Sequence, residues 1–163
     1  MSTSKNYDQG KKNEKNSWSV MSTKGFVRPT SEQKRNIEFA FESVGKSIKT
    51  RGYDLIHIDT VPLIKDKSTS KKWVKKLVLY ELKTAGANRK EPLKKDFANF
   101  GFTYSGNEEY NYHTLGNEQY KFIFLNLATE EARLLDESDW KPRARLYSTT
   151  SVFVDKPIHG QVL

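Results

Sequence analysis

Apolar residues recur at helical spacing through residues 30–49. Ile37, Phe41, Val44 and Ile48 follow one another at steps of four, three and four, which makes a single buried stripe. Pro29 stands just before it, and Thr30 with Gln33 forms a capping box, so a helix is predicted there, ended by Gly52. The period then shortens. Residues 53–64 (YDLIHIDTVPLI) and 76–83 (KLVLYELK) are rich in Ile, Leu, Val and Tyr, and read as two strands of a hairpin with KDKSTSKK as its turn. Residues 84–88 (TAGAN) break the second strand. Pro92 opens a second predicted helix with Leu93, Phe97 and Phe100 inward, followed by a Gly-, Asn- and Tyr-rich loop over 101–117. Residues 120–127 (YKFIFLNL) form a strong strand and 146–154 (LYSTTSVFV) a weaker one, with a short helix over 130–136 between them. The expected fold is α/β, a mixed β-sheet flanked by helices.

Residues 1–28 are rich in Ser, Lys and Asn, with Trp18, Val20 and Phe26 as apolar anchors. They read as a flexible basic arm that Lys11, Lys12 and Lys15 would order on nucleic acid. One domain is expected over 29–158, with 159–163 as a tail.

Composition narrows the chemistry. The chain has 163 residues, room for one ordinary domain, and no cysteine, so disulfides, thiolate zinc and a cysteine nucleophile are excluded. Three scattered histidines (His57, His113 and His159) leave little for a zinc site. A metal here would be a hard cation held by carboxylates, magnesium or manganese. No run of 18 apolar residues and no signal-like N-terminus is seen, so a cytosolic or nuclear location is expected rather than secretion. The 28 Lys and Arg against 20 Asp and Glu give a net charge of +8, which favours a polyanionic partner, nucleic acid before membrane.

The hairpin concentrates charge at one end. Glu81 and Lys83 share a strand face with Leu77 and Leu79, and a turn near Lys67 and Ser68 sets Asp54 opposite them on the same face. Asp59 would lie further down, near Leu77. Two carboxylates and a lysine beside apolar neighbours call for a further cation, because buried charge is costly unless paired. Other strings of this form, Glu32-Gln33-Lys34 and Asp139-Trp140-Lys141, lack the apolar strand and the facing aspartate, while Asp66 sits in the turn.

This arrangement resembles the PD-(D/E)xK nuclease superfamily, which includes many type II restriction endonucleases. The resemblance rests on Tyr53-Asp54 and Glu81-Leu82-Lys83 and spans residues 30–128, although Tyr53 stands where that family often has Pro. It implies a restriction-endonuclease-like core and a Mg2+- or Mn2+-dependent DNA endonuclease. Asp54, Glu81 and the Leu82 carbonyl would hold the metal, with Glu38 or Glu42 from the preceding helix, and Lys83 would orient water and stabilise charge. It also implies DNA in preference to RNA and a homodimer. Arg89, Lys90, Lys94 and Lys95, together with Lys141, Arg143 and Arg145, are candidate phosphate contacts. The alternatives are a non-catalytic basic nucleic-acid-binding module or nucleoprotein component, and a small viral or phage structural protein.

Overall fold

A computed structural model describes residues 3–86, 97–146 and 151–163. The expected α/β class is what the chain adopts: mixed sheets flanked by helices. Helix α1 spans Thr3–Thr23, strand β1 Phe26–Val27, and helix α2 Ser31–Glu42. The Thr30–Gln33 capping box starts α2 as anticipated. The helix stops short of Lys49, with the chain turning at Gly45 (φ 78°), a left-handed conformation that glycine adopts without cost. Ile37 and Phe41 are buried as expected, but Val44 lies beyond the helix and is exposed.

The anticipated hairpin is replaced by a more broken path. Strand β2 is only Ile56–His57 and pairs with β1, and a 3₁₀ segment follows over Ile58–Ile64. Pro62, which has no N–H to give a sheet, lies inside that segment. The polar stretch read as a turn is helix α3, Lys67–Trp73, because Asp66 caps it by accepting from the Thr69 N–H. Strand β3, Leu79–Ala85, touches this path at one antiparallel bridge between Leu55 and Tyr80.

Strand β4 (Phe100–Thr103), helix α4 (Gly106–Gln119) and strand β5 (Tyr120–Asn126) come next. Strand β5 runs parallel to β3, with Glu81 level with Phe122 and Lys83 with Phe124. Residues 101–117, read as loop, therefore hold a strand and a helix; the missed sign was Ser105 three residues before Glu108, a second capping box. Residues 130–136, read as helix, form strand β6 (Glu131–Leu135) antiparallel to β5, with Ala132 and Leu135 buried on opposite faces of the sheet. Helix α5 (Glu137–Trp140), strands β7 (Ala144–Leu146) and β8 (Ser151–Val154), and β9 (Gln161–Val162) complete the chain. The main sheet runs β3-β5-β6-β9 and the second β4-β8-β7. Most of the helix expected from Pro92 falls outside the described residues; its last expected member, Phe100, is in β4, and Phe97 is buried at φ 60°.

Alternation along β3 and β5 divides the interior in two. On one face Phe122 and Phe124 join Phe100, Tyr104 and Trp140 in an aromatic core. On the other, Leu82, Ile123 and Leu125 pack with Leu55 and Met21. The N-terminal segment expected as an arm is thus a helix whose Met21 is fully buried, and the expected tail contributes β9 to the sheet. Among the described residues no helix is long and apolar enough to cross a membrane.

Candidate functional site

The bridge between Leu55 and Tyr80 sets Asp54 across from Glu81. Tyr80 exchanges both of its backbone hydrogen bonds with Leu55, so this edge of β3 is occupied at Tyr80 and comes free two residues later. There the Leu82 N–H donates to Asp54 Oδ2 at 3.2 Å. The Leu82 carbonyl lies on the same edge, since N–H and C=O of one strand residue point the same way. Asp54 and Leu82 both line a cleft of about 360 Å³ whose other wall is α1, through Asn13, Glu14, Ser17 and Trp18. Arg28 approaches Glu14 at 4.0 Å and stacks over the Trp18 ring at 4.5 Å.

On the aromatic side of β3 the Lys83 ammonium lies between two carboxylates. Its Nζ donates to Glu81 Oε1 at 3.0 Å and to Glu108 Oε2 at 2.7 Å, and all three side chains are under 10% exposed. The Phe102 ring sits 5.7 Å from the same nitrogen. Glu108 is held by its own helix start, where Oε2 also accepts from the Ser105 N–H.

The cluster carries more negative charge than it balances. Burial pushes the Glu81 carboxyl well above the ordinary range, and Asp54 and Glu108 push it further while Lys83 opposes them. Asp54 is raised by burial too, against the pull of the Leu82 N–H, Lys83 and Lys34. Helix α2 supplies Lys34, whose Nζ donates to the Thr50 and Tyr53 carbonyls and lies over the Tyr53 ring. Desolvation lowers its pKa, and Asp54 works in the opposite direction.

The structure therefore brings Asp54, Glu81, Leu82 and Lys83 together. It does not bring Glu38 or Glu42 to them: Glu38 acts electrostatically on Tyr53, and Glu42 is exposed. The helical acid that lines the cleft is Glu14, from the segment read as an arm. Lys141, Arg143 and Arg145 lie elsewhere, engaged with Glu137, the Asp139 carbonyl and Asp155 respectively. Arg89, Lys90, Lys94 and Lys95 lie outside the described residues. Asp59 is exposed beside His57 in the first turn of the 3₁₀ segment, and Leu77, expected to be its neighbour on a strand, lies ahead of β3.

Asp54, Glu81 and the Leu82 carbonyl are hard oxygen donors in a region short of cations, which is the chemistry that magnesium or manganese requires. Among the described residues, however, no three acidic or histidine side chains are already gathered as a ligand set, and the Lys83 ammonium stands between Glu81 and Glu108. No protein-family model matches the chain, and neither a curated protein nor a solved structure matches it.

Proposed function

We propose that this chain is a divalent-metal-dependent endonuclease that hydrolyses phosphodiester bonds of DNA, with Asp54, Glu81 and Lys83 at its centre. The observation that carries this reading is the buried surplus of carboxylates around Lys83, opening at Asp54 onto a cleft. Carboxylates massed without matching cations are costly in a fold that has no use for them, and perturbed groups of this kind concentrate at functional sites. Asp54, Glu81 and the Leu82 carbonyl would hold magnesium or manganese, and the bound ion would supply Lewis acidity toward a phosphoryl oxygen.

The chain's own groups have separate tasks. An ammonium has three donors, and two of those on Lys83 go to Glu81 and Glu108, leaving one for a phosphoryl oxygen as negative charge builds there. The Leu82 N–H fixes the Asp54 carboxylate on the cleft side. Trp18 and α1 form one wall of the approach. Cutting both strands of a duplex calls for two such centres, so a homodimer forms part of this proposal.

A second reading has its own support. Lys83 is sealed between two carboxylates under the aromatic core, the pattern of a structural ion pair, and this favours a basic nucleic-acid-binding module without chemistry. Incubation with plasmid DNA and structured RNA in magnesium, manganese or EDTA separates the two. DNA cleavage that needs the metal and disappears in Lys83→Ala and Asp54→Ala is the expected result. Tight binding with no cleavage under any of these conditions sinks the catalytic reading in favour of the module.

A further inference from the structure

Residues 65–76 hold six lysines against one acidic residue, Asp66, and so carry most of the chain's excess positive charge. Lys65, Lys67, Lys71, Lys72, Lys75 and Lys76 are all exposed. Among the described residues none of them is ion-paired to a carboxylate. Asp66 makes no close ion pair with these lysines: both of its oxygens accept from Thr69 at the start of α3, and it acts on Lys65 only through space.

The fold forces this display. Ser70 and Val74, one turn apart, face inward, and the Asn36 side chain ties α2 to the Ile64 carbonyl just ahead of α3. Lys67 and Lys71 then stand one turn apart on the outside, where like charges weaken a helix. Lys71 and Lys72 sit in the last turn of α3, and Lys75 and Lys76 end the 3₁₀ turn Val74–Lys76 that follows, where helix dipoles favour them, but Lys67 at the start of α3 has no such use. The surface is also shaped by aromatic rings, with Lys67 over Phe39, and Lys72 and Lys76 over Trp73. It is an ordered cationic face, not a loose tail.

We infer that this face grips the phosphate backbone of duplex DNA. Lysines present point charges and read no base edges, so the contact is independent of sequence. A membrane surface is the poorer partner because the exposed large apolar residues among those described (Val44, Ile58, Tyr110 and Val162) all lie outside this stretch, which leaves electrostatic attraction alone to hold a bilayer. Lys76 lies three residues before β3, and the five residues from it to Glu81 span at most about 18 Å. That is about half of one ~34 Å turn of B-DNA, so a single duplex can touch both places. The inference rests on the nuclease reading only for which polyanion arrives.

The test is anisotropy of a labelled duplex with the full chain in EDTA, titrated across about 50–200 mM salt. Replacing Lys67, Lys71 and Lys75 together by Gln is expected to weaken binding more than tenfold and to lower the salt slope by about 2.7. Replacing Lys46, Lys49 and Lys156 by Gln removes the same net charge and is expected to have a much smaller effect. Arginine at Lys67, Lys71 and Lys75 restores binding, which separates lost contact from lost folding. Equal losses in the two Gln variants, preference for duplex RNA, or a face variant that loses only anionic phosphatidylserine vesicles would each overturn the inference. Binding that depends on the face but brings no cleavage in magnesium leaves the face and sinks the centre. Cleavage with an unchanged KM in the face variant does the reverse.

Discussion

At the scale of single residues, Lys83 decides the character of the site. It is the cation in direct contact with Glu81 and Glu108, and all three side chains are under 10% exposed. Replacing it by methionine keeps most of the apolar stem and leaves two buried carboxylates facing each other. Lys83→Met is expected to cost about 3–5 kcal/mol in urea unfolding, the cost of stranding buried charge. Adding Glu108→Gln to the same chain should recover part of that loss, so the two changes are not additive. Independent, additive effects would show that the contact is loose. The Asp54, Glu81 and Lys83 grouping was legible in the sequence because strand alternation and one register fix it. Glu108 was not: its approach depends on a helix that the Gly- and Asn-rich composition of residues 101–117 disguised.

Among the elements, α1 departs furthest from its sequence. Its polar and lysine-rich surface reads as unfolded chain, and only Ser17 and Met21 turn fully inward among its described side chains. Tertiary packing on the Leu82 face of the sheet outweighs its weak local pattern. Met21→Ala is therefore expected to destabilise the fold by about 2–5 kcal/mol in denaturant titration, as a core methionine does, and a helix merely resting on the surface would lose far less. Helix α4 depends on its cap. Ser105→Ala should cost about 1 kcal/mol by the same measurement and loosen Glu108 with it. Helix α2 and strands β3 and β5 were legible because their apolar periods are strong. The hairpin was misread because a continuous apolar run does not distinguish a strand from the 3₁₀ segment at Ile58–Ile64.

For the whole molecule, the cluster links stability to pH. Free carboxylates titrate near pH 4, and those of Glu81 and Asp54 titrate higher in the fold because burial disfavours their charge. Between the two values the native state binds more protons than the unfolded one, so stability falls as pH rises through the folded pKa values. Thermal melts should show this decline from mildly acid to neutral pH, and Glu81→Gln should flatten it. Magnesium, competing with those protons, should raise Tm more at neutral than at acid pH; equal shifts at both would argue against binding at these carboxylates. The parallel pairing of β3 with β5 has a further consequence, one of time. Leu79 and Tyr120 are far apart in the chain, as are Leu55 and Tyr80, and contacts of that kind form slowly, in milliseconds to seconds. The carboxylates are therefore expected to meet only after β3 has gained neighbours on both edges, late on the way to the native state. Their repulsion should then leave the refolding arm of a chevron unmoved between acid and neutral pH while unfolding quickens. Stopped-flow mixing would read this directly, and the site would set how long the native state lasts, not how soon it is reached.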